Sequence, residues 1–127
     1  MSTKHFAVGL DVGGSKTHLL AQSTGCPDAI DNRHGSGANP QLVGFPKTAD
    51  VLTTLVREAI QPHHPVESLS ICAGIAGAGR PDEQEYLISS LREGLEDIAS
   101  TIRVEVVHDA LIALDAAVAA GSGLIAI

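Results

Sequence analysis

Near its amino terminus the chain carries two apolar runs joined by a short glycine turn, and this pattern limits the fold more than any other feature. The first run ends at Leu10 and Asp11, and the second begins at Thr17. Two apolar runs separated by an Asp-x-Gly-Gly turn predict a β-hairpin, with strands over residues 5–11 and 16–23. The fold must therefore place the first two strands side by side and antiparallel.

The turn of this hairpin has the composition of an anion-binding loop. Glycine puts no side chain between the backbone N–H groups and a ligand, and the neighbouring hydroxyl and ammonium groups favour an anion. A carboxylate at the strand end suits the metal ion that accompanies a nucleotide phosphate. The candidate residues are Asp11 for the metal and, for the phosphate, Gly13, Gly14, Ser15, Lys16 and Thr17. A tight turn without a ligand is the alternative interpretation.

Two better-known phosphate loops do not match this turn. A Walker loop has lysine directly after its second glycine, followed by serine or threonine, whereas here Ser15 precedes Lys16. A dinucleotide fingerprint needs a helix after the glycines, and residues 17–22 are more typical of a strand. The pattern thus indicates a phosphate loop within a hairpin.

Composition argues against several classes of function. The 127 residues suit one domain, and with 44% hydrophobic but only 2% aromatic residues its core must be aliphatic. Eight basic and fifteen acidic residues give a formal charge of −7 without a basic cluster, which argues against a nucleic-acid partner. No secretory signal or membrane-length apolar run is visible, and two lone cysteines, Cys26 and Cys72, fit a reducing compartment. We therefore expect a cytoplasmic protein with no membrane partner.

The rest of the chain alternates between strand and helix patterns. Glycine- and proline-containing segments at 25–28, 35–40 and 76–81 separate some of these patterns and predict turns or loops. The predicted elements are a third strand at 29–34, a helix at 46–60, a strand at 67–75, a helix whose first turn contains Asp82, a strand at 102–107, a helix at 110–120 and a strand from Leu124. The helix that starts near Asp82 is expected to bury Leu87, Ile88, Leu91 and Leu95, with Ile98 as a further candidate. Because a strand reached through a helix runs parallel to the first, the predicted sheet is mixed.

Several polar residues have both a structural and a functional interpretation. Asn39 precedes proline and either starts a turn or contacts a ligand. Arg80 either binds a phosphate or substrate, or pairs with the acidic residues that follow it. Asp109 is a natural helix N-cap, yet it also follows a parallel strand, at the edge where open α/β sheets bind ligands. His63 and His64 lie between prolines with no third ligand nearby in sequence, which favours a solvated loop over a metal site.

Four motifs, in this order, resemble one protein family. They are residues 11–17, Asp-Val-Gly-Gly-Ser-Lys-Thr; 35–40, Gly-Ser-Gly-Ala-Asn-Pro; 74–79, Gly-Ile-Ala-Gly-Ala-Gly; and 108–110, His-Asp-Ala. On the basis of these motifs, the chain resembles the N-terminal lobe found in proteins of the superfamily that contains sugar kinases, heat-shock chaperone ATPases and actin. Within it, the chain is similar to the BadF/BadG/BcrA/BcrD-type ATPases, which include N-acetylglucosamine and glucosamine kinases. The resemblance implies an α/β, ribonuclease H-like, actin-type ATPase lobe: a mixed five-stranded sheet with helices on both faces.

The resemblance also implies an activity, the ATP-dependent phosphorylation of a hydroxyl group of N-acetylglucosamine or glucosamine. ATP and Mg²⁺ would be the cofactors, with residues 13–16 as the first phosphate loop and Asp11 holding Mg²⁺ through water. Asn39 would contact sugar hydroxyls, and Gly77 would let the backbone line the sugar cleft. Asp109 would contact the sugar and act as general base on its hydroxyl.

Domain organisation and partners follow from the same resemblance. Residues 1–127 would be the N-terminal lobe of a two-lobe kinase, and the apolar end at 124–127 favours a fragment of a longer chain, inactive alone. The expected partners are the sugar substrate and the C-terminal lobe of the same protein, and a homodimer is allowed. Two residues depart from the family pattern: Val12 stands where glycine is frequent, and His108 where asparagine or threonine is common.

Two other functions stay open at this point. One is an ATPase activator of a 2-hydroxyacyl-CoA dehydratase or benzoyl-CoA reductase. Such activators resemble this fold but bind an iron–sulfur cluster through cysteines at a dimer interface, and the sequence surroundings of Cys26 and Cys72 do not match those cysteines. The other is a non-catalytic, sugar-responsive regulator, which has no need for a complete set of phosphate-loop and base residues.

Overall fold

The computed structural model of the protein describes residues 5–23 and 26–108. Strands and helices follow one another along this part of the chain. They are β1 (His5–Val12), β2 (Lys16–Ser23), β3 (Cys26–Ser36), α1 (Pro40–Val43), α2 (Phe45–Ile60), β4 (Val66–Ile75), α3 (Pro81–Leu95) and β5 (Ala99–Val107), with a 3-10 turn at Gln61–His63. No helix among these residues is long and apolar enough to cross a membrane.

The strands form one mixed sheet in the order β3-β2-β1-β4-β5. The β1–β2 and β2–β3 pairs are antiparallel, whereas the β1–β4 and β4–β5 pairs are parallel. This order, with these directions, is the ribonuclease H-like fold, so the predicted fold class and the five-stranded sheet are confirmed. Because β1, β4 and β5 are parallel, their carboxyl ends share one edge of the sheet, and the β1–β2 turn lies at that edge.

Aliphatic side chains fill the space between the sheet and its two long helices. Alternate residues of β1, from Phe6 to Val12, belong to this core, because successive strand residues face opposite sides of a sheet. The helices contribute side chains at a four-residue spacing, which places them on one face of each helix. These fully buried residues are Leu52, Val56 and Ile60 of α2 and Leu87, Leu91 and Leu95 of α3.

The two long helices pack against each other as well as against the sheet. A Cβ added to Gly94 of α3 would lie 2.7 Å from Thr53 Cγ2 of α2, so the helices approach closely there. Next to this contact, the Arg57 guanidinium donates to both carboxylate oxygens of Asp97, at 2.9 and 3.0 Å. These hydrogen bonds raise the pKa of Arg57 and lower the pKa of the Asp97 carboxyl. The helix predicted at 110–120 for the other sheet face lies outside the described residues.

Strand β3 extends at both ends into segments that were predicted as turns or loops. The turn predicted at 25–28 is wrong for its later residues, because β3 already pairs with β2 at Cys26. Residues 35–40 were expected to be irregular, but the first two lie in β3 and the last begins α1. At residues 35 and 36, pairing with Thr17 and Lys16 of β2 outweighs the local turn preference, whereas the register shifts between the Cys26–Ser23 and Ile30–Gln22 pairs. The strand predicted from Leu124 lies outside the described residues.

Candidate functional site

The predicted phosphate loop is the turn between β1 and β2. The Gly13 N–H donates to the Lys16 carbonyl at 3.1 Å and closes the turn, and residues 14–16 are exposed at its tip. Asp11 lies half-buried at the base of the turn, in register with Gly74 of β4. The loop therefore presents a hydroxyl, a cation and glycine backbone at the surface near a carboxylate. This arrangement fits the predicted cofactor roles, which stay predictions.

Gly37, just after β3, packs directly against this loop. A Cβ at Gly37 would lie 2.2 Å from the carbonyl oxygen of Gly14, 2.6 Å from its carbonyl carbon and 2.9 Å from that of Ser15. No larger residue fits without moving backbone. The Ala38 N–H also donates to the Gly13 carbonyl at 3.1 Å. The segment after β3 thus holds the phosphate loop through its backbone.

Two buried threonines anchor this segment. The Thr17 hydroxyl donates to the Ser36 carbonyl at 2.8 Å, and the Thr48 hydroxyl donates from α2 to the Ala38 carbonyl at 2.7 Å. Both side chains are fully buried. Thr17 was predicted as a phosphate contact; its hydroxyl is engaged inside the protein, and the ligand role stays a prediction.

Replacing Thr48 with valine should weaken this anchor without changing the volume of the core. Valine has the shape of threonine but no hydroxyl, so the Ala38 carbonyl loses its 2.7 Å donor. Leaving a buried polar group unsatisfied costs about 1–3 kcal/mol, and urea denaturation should show a loss of that size. Thr48→Ser keeps the hydroxyl and serves as the control. Equal losses in the two variants would assign the effect to the methyl group instead.

The same segment contacts the second glycine corner, which follows β4. A Cβ at Gly77 would lie 2.4 Å from Asn39 Oδ1, and the φ angle of Gly77 is +93°, a conformation that favours glycine. Asn39 caps α1, because its Oδ1 accepts a hydrogen bond from the Gln41 N–H at 2.9 Å. The Gln41 side-chain amide donates to the Gly77 carbonyl at 2.8 Å. Two of the three predicted sugar-binding residues, Asn39 and Gly77, are therefore neighbours.

The carboxyl end of β5 lies at the same edge. Val107 is in register with Gly74, which is in turn in register with Asp11. The exposed His108 follows directly. Asp109, the predicted general base, lies outside the described residues, and its role stays a prediction.

Other candidate residues have structural partners. Arg80 pairs with Asp82 at 3.5 Å, as its salt-bridge interpretation predicts. Cys72 is buried in β4, and burial, with a further contribution from Glu105, raises the pKa of its thiol. His63 packs its ring 4.8 Å from that of Phe6.

Three residues of this site were not predicted from the sequence: Gly37, Gln41 and Thr48. Gly37 lay in a segment already singled out, but nothing in its sequence tells which glycine touches another backbone. Thr48 had a usable signal, since a lone hydroxyl on the buried face of the predicted helix needs a hydrogen-bond partner. Gln41 had no such signal, because an exposed glutamine near a helix start is ordinary.

Sheet order and strand directions define a ribonuclease H-like fold. No protein-family model matches the chain, and no curated protein matches it. Solved structures with a similar fold include a provisionally assigned N-acetylglucosamine kinase from Chromobacterium violaceum. It is 15% identical, the match covers 84% of this chain and 36% of that one, and the TM-score is 0.48.

Two further solved structures match at similar levels. The PPX-GPPA enzyme of Aquifex aeolicus is 12% identical over 80% of this chain and 36% of its own, with a TM-score of 0.47. The glucokinase of Balamuthia mandrillaris, solved in complex with glucose, is 23% identical. The match covers 62% of this chain and 20% of the glucokinase, with a TM-score of 0.39. The chain thus spans about a third or less of the length of these three proteins. At these identities the similarity concerns the fold alone.

Proposed function

We propose that this chain is the N-terminal lobe of an ATP-dependent sugar kinase that phosphorylates a hydroxyl group of N-acetylglucosamine or glucosamine. One observation supports the proposal most: three glycine-rich segments, far apart in sequence, meet at the edge of the sheet. Gly37 lies against the backbone of Gly14, and Gly77 lies against the side chain of Asn39. A loop suited to phosphate therefore adjoins a polar loop suited to a sugar.

The phosphate side of this site fits a nucleotide bound with Mg²⁺. Ser15 and Lys16 are exposed on the loop, and a cation there is suited to phosphate oxygens. Asp11 offers the carboxylate that Mg²⁺ prefers and would hold the ion through water. Bound Mg²⁺ would supply charge neutralisation for phosphoryl transfer.

The sugar side would position the acceptor hydroxyl. Asn39 would hydrogen-bond to the sugar, and the backbone at Gly77 would line the cleft. Asp109 would accept the proton of the attacking hydroxyl; a carboxylate of ordinary pKa suffices, because that proton leaves late in a loose transition state. The C-terminal lobe of the same protein would provide the second phosphate loop and the adenosine pocket. We place this kinase in the cytoplasm, and a homodimer is compatible with it.

Coupled ADP release by the full-length protein tests this function. We expect Mg-ATP turnover to depend on added N-acetylglucosamine or glucosamine, within a panel of hexoses and hexosamines. Reactions without sugar and without Mg²⁺ are the controls. Sugar-independent ATP hydrolysis, or no hydrolysis, would contradict the proposal.

A further inference from the structure

Gln41 makes two hydrogen bonds that join the two halves of the proposed sugar site. Its backbone N–H donates to Asn39 Oδ1 at 2.9 Å, within the turn after β3. Its side-chain Nε2 donates to the carbonyl of Gly77 at 2.8 Å, in the corner after β4. One exposed residue thus fixes the position of the Asn39 turn relative to the Gly77 corner.

This bonding distinguishes the two ends of the Asn39 carboxamide. Oδ1 is engaged by the Gln41 N–H and faces Gly77, where an added Cβ would come within 2.4 Å of it. Nδ2 is the opposite end, and no residue in the described part of the chain accepts a hydrogen bond from it. The end of Asn39 that remains for a ligand is therefore a donor.

We propose that Gln41 is a positioning residue of the sugar site and that it makes Asn39 a hydrogen-bond donor to an oxygen of the substrate. The inference rests on the proposed kinase function and specifies what the site accepts. The substrate must place an acceptor oxygen, from a hydroxyl, a ring or a carbonyl group, opposite Nδ2. A protonated amino group has no acceptor and is excluded from that position, so the amino group of glucosamine must lie elsewhere.

Two substitutions separate donation by Asn39 from its structural role as a cap. Aspartate caps helices as well as asparagine does, so Asn39→Asp keeps the bond from the Gln41 N–H but replaces the Nδ2 donor with a charged carboxylate oxygen, which can only accept. Gln41→Ala keeps the backbone bond and removes the bridge to Gly77. We expect each variant to raise the KM for N-acetylglucosamine about tenfold, with the KM for ATP and kcat within about twofold of wild type.

Gln84 supplies the matched control. Its side-chain amide donates to the carbonyl of Ala78 at 2.9 Å, so it makes the same kind of bond to the same corner, and its described hydrogen bonds do not involve Asn39. Gln84→Ala should leave the sugar KM unchanged. If Gln84→Ala and Gln41→Ala raise that KM equally, the effect is general stabilisation of the corner and the positioning role is wrong.

A third variant adds a pH readout that a purely structural role would not move. Gln41→Glu places a carboxylate against the Gly77 carbonyl, and neither group donates. Protonation, which begins as the pH approaches the ordinary glutamate pKa of about 4.3, restores a donor. The ratio of the variant's sugar KM to that of wild type should therefore fall between pH 8 and pH 5. If the ratio of the two sugar KM values does not change with pH, the hydrogen bond from residue 41 to the Gly77 carbonyl does not position the sugar site.

These outcomes keep the two claims apart. Wild-type protein without sugar-dependent turnover overturns the proposed function, and this inference with it. Sugar-dependent turnover in wild type, with an unchanged sugar KM in Gln41→Ala and Asn39→Asp, overturns the inference alone. Thermal denaturation of each variant verifies that it is folded at the assay temperature.

Discussion

In the full-length protein, we expect Gly37→Ala to weaken the proposed binding of ATP about 100-fold, because the new methyl group displaces the predicted phosphate loop. The added Cβ would meet three backbone atoms of Gly14 and Ser15 at 2.2–2.9 Å, and backbone cannot rotate away as a side chain can. A shift of about 1 Å in a positioned site can lower the reaction rate about 100-fold, and we expect a loss of the same order in the affinity of a displaced phosphate loop. Overpacking of this kind also lowers stability, by about 1–3 kcal/mol.

Gly79 is the matched control for this substitution. It also lies in a glycine-rich segment at the same edge, but a Cβ there would have no atom within 4 Å. Gly79→Ala should keep wild-type stability and ATP affinity. Calorimetric titration with Mg-ATP and urea denaturation provide both measurements. If Gly37→Ala binds ATP as tightly as Gly79→Ala does, the contact between Gly37 and the loop has no functional importance.

The sheet could be predicted from the sequence because its signals are local. The Asp-x-Gly-Gly turn fixes the antiparallel β1–β2 pair, and the intervening helix patterns make β4 and β5 parallel to β1. Local signals failed at 26–28, where β3 already begins at Cys26, paired with Ser23, although the register shifts before Ile30 pairs with Gln22. Strand ends depend on the partner strand, which no short window of sequence contains.

The contacts within the site could be predicted only in part. Composition singled out the three glycine-rich segments, and the parallel strand order indicated a common edge. The pairing of Gly37 with Gly14 and of Gly77 with Asn39 depends on the angle at which each segment leaves its strand. The partner of Gln41 could not be predicted, because its side chain donates to a backbone carbonyl and every residue has one.

Asp109 is the residue whose replacement should most reduce turnover. In the described part of the chain, Val107 lies level with Gly74, and Gly74 with Asp11, so β5 leads toward the edge that carries the phosphate loop. Asp109 follows two residues after Val107. We expect Asp109→Asn to lower kcat by about 100- to 10,000-fold, the usual contribution of a positioned general base.

A comparison of two substitutions distinguishes catalysis from helix capping at Asp109. Asparagine caps a helix as well as aspartate but cannot accept the hydroxyl proton, whereas alanine can do neither. If Asp109 is the base, Asp109→Asn loses turnover at wild-type stability, and Asp109→Ala loses turnover together with about 1 kcal/mol of stability. If it is only a cap, Asp109→Asn keeps both turnover and stability. Coupled ADP release and urea denaturation of the full-length variants distinguish these outcomes, because wild-type turnover in Asp109→Asn is incompatible with a catalytic carboxylate at this position.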